Sequence, residues 1–145
     1  MNCPSSMEAR PGPPLIAHAE HPFCFVCSSL NPMGLALHFV TEEDESVSAT
    51  FLGHPTLEGY PGLLHGGIVA TLLDGAMAHC LFAHGIKALT AELQVRYHAP
   101  IATSGEVTLR AWHDVSRRGL HRTRAEAIQA GRVCARAQAK FLSPP

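Results

Sequence analysis

GYPGLLHGGIVATLLDG, residues Gly59–Gly75, decides how the rest of this 145-residue chain is read. It opens as a loop, in which Gly59, Pro61 and Gly62 interrupt regular structure. At His65-Gly66-Gly67 the pattern changes to an apolar run that continues to His84 and carries one charge, Asp74. The stretch Ile68–Phe82 leaves no broad polar face, and a helix apolar nearly all round is a buried helix. Gly85 is placed to cap its C-terminus. An ionised carboxylate on such a helix is costly unless partners or function retain it. Backbone N–H groups at the helix start, where the dipole is positive, form an oxyanion site. An acid and an oxyanion donor on one element point to hydrolysis of an acyl compound.

Downstream of this helix the chain reads as strand to its end. In Ala88–His98, Leu89, Ala91, Leu93, Val95 and Tyr97 alternate with Thr90, Glu92, Gln94, Arg96 and His98, which is period two with one face in. Gly105–Val115 alternates in the same way, and Leu120–Ala130 and Arg132–Leu142 read as a hairpin turning at Ala130-Gly131. The last strand offers Val133, Ala135, Ala137, Ala139 and Phe141 to the core. Upstream, Gly34–Val40 and Ser46–Leu52 have strand character, with the acidic TEEDE run as a solvated turn between them. Gly53–Leu64 is expected to be a loop. Two strands, one buried helix and four long antiparallel strands make an α+β domain whose sheet wraps a central helix.

Residues 1–20 are Pro-rich and unpatterned and are expected to form a flexible leader, with a short helix or turn around 17–22; residues 21–145 form the domain. That leader lacks the apolar segment of a signal peptide. No run is expected to reach the ~18–20 apolar residues of a membrane span. A net charge of −1 offers no electrostatic case for nucleic acid. Five cysteines, an odd count without framework spacing, favour reduced thiols and a cytoplasmic setting.

With these segments in order, the chain resembles the hotdog-fold acyl-CoA thioesterases of the PaaI-like type. The resemblance runs from Cys24 to Phe141, through CFVCSSLNPMGLALHF, GYPGLLHGGIVATLLDGAMA, TAELQVRYHAP and the final alternating strand. Its most specific element is His-Gly-Gly with an acid nine residues after the His. The resemblance implies that Asp74 is the nucleophile or the general base for water. It implies that Gly66 donates its N–H to the thioester carbonyl and that His65 shapes and polarises the pocket. Thr90 fits the place where some members carry a Ser or Thr at the start of the next strand. Gly67 is expected to contact substrate, and Arg117 and Arg118 in a basic turn to meet CoA phosphates. Many relatives carry Asn or Gln in the loop before His-Gly-Gly; this chain has Gly59 there. No cofactor is implied.

Helix geometry adds one requirement. Gly66 and Asp74 lie eight residues apart, or about 12 Å along a helix axis. Donor and attacking carboxylate must both come within about 3 Å of one carbonyl. One helix cannot supply both, but two antiparallel copies can, so a homodimer with two sites is expected, and a tetramer of such dimers is open.

Other readings are weaker. Gly53-His54-Pro55 faintly suggests a hotdog dehydratase or hydratase, but lies twenty residues before Asp74, longer than that motif uses. A non-catalytic acyl-CoA-binding protein would not need a carboxylate beside a thioester. Cys24 and Cys27 form a single CxxC with His18 and His21 upstream, a set that zinc could use. Without a second CxxC, packing cysteines and no metal are the expectation. The acyl group itself is open among small aromatic, short-chain and medium-chain types.

Overall fold

A computed structural model describes residues 21–145. The expected leader, residues 1–20, and most of the expected turn at 17–22 lie outside the described residues. Six strands form one antiparallel sheet: β1 (Val40–Thr41), β2 (Val47–Leu52), β3 (Leu89–Tyr97), β4 (Glu106–Arg117), β5 (Leu120–Gln129) and β6 (Arg132–Leu142). Their spatial order is β1-β2-β4-β5-β6-β3. The single long helix, α1 (Gly66–Ala83), crosses one face of this sheet. A 3₁₀ turn at Pro55–Leu57, capped by the His54 side chain, sits within the expected loop.

Each helix end has a chemical cause. His65 is the N-cap, and its Nδ1 accepts a hydrogen bond from the Gly67 N–H at 2.8 Å. At the other end Gly85, at φ +70°, takes the left-handed conformation that suits glycine, and Ile86 N–H bonds Leu81 C=O in a Schellman closure. Leu72, Leu73, Ala76, Met77, Cys80 and Leu81 are buried against the sheet. The sheet receives them with small residues, Ala125 and Ala127 on β5 and Ala135 and Ala137 on β6, which let the helix lie close. At 18 residues and mean hydropathy 1.4, α1 does have the length and composition of a membrane span, contrary to expectation. More than half of it, 56%, is buried inside the fold, as a core helix is. The remaining stripe, through Ala70, Thr71, Asp74 and Ala78, is half-exposed.

Three expectations are corrected. Gly34–Phe39 is not a strand: Ala36 sits at φ +50°, and Leu35 and Leu37 donate to Phe25 and Val26 rather than to a ladder. Leu37 and Phe39 still reach the core, so the alternation reports burial without pairing. Second, β3 covers neither face in the single chain, with Leu89 65%, Leu93 37% and Tyr97 51% exposed. It is one of the two edge strands, paired only to β6. Third, the β3 alternation is interrupted. Thr90 pairs with Phe141 and Glu92 with Lys140, so Ala91 is surplus, a β-bulge. A similar shift between His113 and Val115 ends the alternation of β4 and leaves Val115 exposed.

Candidate active site

The bulge at Ala91 determines where Thr90 points. Strict alternation would place Thr90 on the outer face with Glu92, which does reach Lys140 there at 3.1 Å. With one residue extra, Thr90 faces α1 instead, and its Oγ1 donates to Asp74 Oδ1 at 2.8 Å. Asp74 Oδ2 has no hydrogen-bond partner among the described residues and remains available for chemistry. The carboxylate is half-buried, on the stripe of α1 that the sheet leaves uncovered.

Next to Asp74, Gly75 is where the chain crosses most closely over the helix. A Cβ built on Gly75 would lie 2.6 Å from Val26 Cγ1, so glycine here admits the Cys24–Cys27 turn against α1. That turn brings ligand atoms of His21, Cys24 and Cys27 within 4.8 Å of one another. Burial, with a contribution from Cys24, pushes the Cys27 thiol up to about 12, so it is not a poised nucleophile.

The helix start carries the second group. The Gly66 N–H belongs to the first turn, where no intrahelical acceptor exists, and it bonds no acceptor among the described residues. Gly67 N–H is consumed by the His65 cap. Because His65 Nδ1 accepts that bond, a neutral ring carries its proton on Nε2, where it is a donor. Beside this turn lies an open recess of about 480 Å³ walled by Gly59, Tyr60, Leu63, Leu64, His65, Gly66 and Pro100. Another recess, about 420 Å³, lies on the outer sheet face among Glu92, Asp114, Arg122 and Lys140, away from both Asp74 and Gly66.

Tyr97, absent from the sequence-based site, joins it. Its hydroxyl donates to Gly66 C=O at 2.6 Å, so β3 holds α1 by two hydroxyls, one at Asp74 and one at Gly66. The only sequence signal was its place at the end of the Thr90–Tyr97 alternation.

The expected residues thus form two groups, Asp74 with Thr90 and His65 with Gly66 and Gly67. They are about 12 Å apart along one unbroken helix. Arg117 and Arg118 join neither. Both are exposed, Arg117 at the end of β4 and Arg118 in the turn to β5, with Arg118 at φ +51° and Gly119 at +78°. The turn lies at the Thr90 end of the sheet, but two strands from β3, roughly 10 Å at ordinary strand spacing. His54 is occupied in capping the 3₁₀ turn.

Comparison with known proteins bears on the family and the fold. The family model of the thioesterase superfamily matches residues 61–135, which include His65–Gly67, Asp74, Thr90 and most of the sheet. Acyl-coenzyme A thioesterase THEM4 of Bos taurus is 33% identical over 76 residues, 52% of this chain and 31% of that protein. The Rattus norvegicus form is 36% identical over 63 residues, 43% of this chain and 27% of that protein. The chain therefore spans about a third or less of the length of these curated relatives. A crystal structure of a thioesterase superfamily protein superposes with TM-score 0.79 at 27% identity, covering 82% of this chain and 62% of that one. A mutant of the phenylacetic acid degradation protein PaaI from Thermus thermophilus superposes with TM-score 0.69 at 20% identity, covering 76% of this chain and 95% of that one. The antiparallel sheet on a central helix is the hotdog fold, and the chain belongs to the thioesterase superfamily.

Proposed function

We propose that this chain hydrolyses the thioester bond of small aromatic or short- to medium-chain acyl-CoA, at sites shared between two subunits. One observation carries the reading: the Asp74–Thr90 pair and the unbonded Gly66 N–H occupy one helix, too far apart to meet on one carbonyl. A two-fold partner with its α1 antiparallel brings Gly66 of one copy opposite Asp74 of the other. The half-exposed small stripe of α1 and the exposed edge of β3 support such pairing.

In this arrangement the thioester oxygen sits on the Gly66 N–H of one subunit, reinforced by the positive end of α1. In the other subunit, Thr90 fixes Oδ1 of its own chain's Asp74 and leaves Oδ2 facing the reacting carbon. Oδ2 takes a proton from water as its oxygen bonds to that carbon; direct attack by Oδ2 is the variant of the same geometry. The tetrahedral intermediate collapses by breaking the C–S bond, and the departing CoA thiolate is protonated. Tyr97 holds the Gly66 carbonyl, one peptide unit beyond the donor N–H, and so anchors the first turn of α1. The apolar wall formed by Leu63, Leu64 and Pro100 suits the acyl group, and Arg117 and Arg118 suit the CoA phosphates. The proposal includes a cytoplasmic setting, which Cys24, Cys27, Cys80 and Cys134 support as free thiols.

A thiol-release assay over a panel of acyl-CoAs tests the reading. Turnover in the parent, abolished in Asp74→Ala, is the expected result. Hydration of an enoyl-CoA instead would make the protein a hydratase, and saturable binding without turnover would make it an acyl-CoA-binding protein.

A further inference from the structure

The His21–Cys27 turn is built more carefully than packing alone requires. The chain folds back from His21 C=O to Cys24 N–H at 3.4 Å and again from Cys24 C=O to Ser28 N–H at 3.0 Å. Every exit of the turn is tied down from outside it. Ser28 Oγ donates to Pro22 C=O at 2.9 Å, Asn31 Nδ2 to Phe23 C=O at 3.3 Å, and Leu35 and Leu37 N–H to Phe25 and Val26 C=O, each at 2.8 Å. The result collects one imidazole and two sulfurs, with ligand atoms all within 4.8 Å, from residues that are each half-buried. Val26 N–H donates to Cys24 Sγ at 3.3 Å, a backbone dipole aimed at a sulfur that stabilises negative charge there.

We infer that His21, Cys24 and Cys27 form a binding site for a soft divalent cation of the zinc type, which staples this turn to α1 beside Asp74. Tetrahedral zinc, with bonds of about 2.0–2.3 Å, sets its ligand atoms roughly 3.5–3.8 Å apart. The observed cluster needs to contract by no more than about 1 Å, within reach of side-chain torsions. Two thiols and an imidazole select zinc over calcium or magnesium, which take oxygen ligands. Three protein ligands leave a fourth tetrahedral position to water or another ligand.

The role is structural. The His21 ring stands edge-on to Phe82 of α1, with centroids 4.7 Å apart. Val26, between the two cysteines, rests on Gly75. A cation held at the turn therefore clamps one contact at Gly75, beside Asp74, and one at Phe82, about two turns farther along α1. Binding displaces the thiol protons and changes no oxidation state. The inference is independent of the thioesterase reading, because its readout is the metal.

The test is cobalt(II) titration of the full, reduced chain, followed by displacement with zinc. Expected are thiolate-to-cobalt charge-transfer bands and tetrahedral d–d bands that saturate at one metal per chain and disappear when zinc is added. Cys24→Ser and Cys27→Ser should lose the charge-transfer signal of one sulfur each. His21→Ala should weaken affinity by more than the roughly 10–100-fold that loss of an outer-shell partner costs. Cys80→Ser and Cys134→Ser, controls outside the cluster, should leave the spectrum unchanged. The inference is overturned if cobalt gives no thiolate bands with the folded parent or if Cys27→Ser gives the parent's spectrum. A Cys24–Cys27 disulfide that consumes both thiols in freshly prepared protein would also overturn it.

Discussion

Gly66→Pro is a substitution that removes the proposed oxyanion donor while leaving the fold intact. Proline has no N–H, and N1 is the helix position where proline is best tolerated. His65 already has φ −61° and ψ 135°, the extended conformation that a residue before proline prefers. The Gly66 N–H bonds no acceptor among the described residues, so no internal hydrogen bond is lost. A Cβ at this position lies 3.5 Å from the Tyr97 hydroxyl, an ordinary contact. Stability should be unchanged or higher by about 0.4–1 kcal/mol through the stiffer unfolded chain. Loss of one oxyanion donor costs roughly 2.7–4 kcal/mol of transition-state stabilisation, or about 10²–10³-fold in kcat. Gly66→Ala keeps the N–H and serves as the control that retains activity. Thermal unfolding and acyl-CoA turnover, measured together, separate folding from chemistry. Mixing Gly66→Pro with Asp74→Asn then tests the shared site. Half of randomly formed dimers are mixed, each with one intact site of two, so about a quarter of parental activity should return. Parental turnover in Gly66→Pro, or no rescue once subunit exchange is demonstrated, refutes the reasoning.

Thr90→Val keeps the branched shape but removes the donor to Asp74. Because Thr90 is exposed, the lower end of the range for a hydrogen bond to a charge applies, about 1.5 kcal/mol, so kcat should fall roughly tenfold; an unchanged kcat argues that the contact has no catalytic role. Gly75→Ala sets a helix-propensity gain of about 1 kcal/mol against a 2.6 Å clash with Val26, and overpacking at about 1–3 kcal/mol should win and lower Tm. In a Val26→Ala background the same change should raise Tm, and a double-mutant cycle without that reversal of sign contradicts the packing argument. His113 is held below the usual histidine range, first by burial and then by His84 and His121. The unfolded chain therefore takes up its proton first as pH falls. Stability should be full above about pH 6.5, decline as pH falls below it and level off below the folded-state value. Denaturant titrations of His113→Asn should show a flatter dependence, and an unaltered profile would assign the slope to other groups.

Much of this fold is legible in the chain because its chemistry is local. His65 and Gly85 bracket α1, and Ala130-Gly131 and Arg118-Gly119 carry the positive φ pairs that close tight hairpins. Alternation placed β5 and β6 because each buries one face under a single helix. It failed at Gly34–Phe39, where apolar residues reach the core while the backbone bonds the Cys24–Cys27 turn. Periodicity reports which side chains are buried; it does not report where the N–H groups go. The same blindness hid Tyr97, whose exposed hydroxyl matters only because the folded helix start lies against it. Asp74 and Gly66 could be named from one helix and its charge, and Thr90 from family likeness. Arg117 and Arg118 stand apart because nothing in a turn's composition says how far it lies from α1.

The surplus residue at Ala91 makes the face that Thr90 takes a matter of count rather than of residue type. Many small residues could occupy the position without disturbing the hydroxyl beside it. Deleting it would make Thr90 and Glu92 neighbours on opposite faces of a regular pleat, so Thr90 would still turn toward α1 opposite Phe141. Without one surplus residue an even-numbered position could not share its face with Leu93, Val95 and Tyr97.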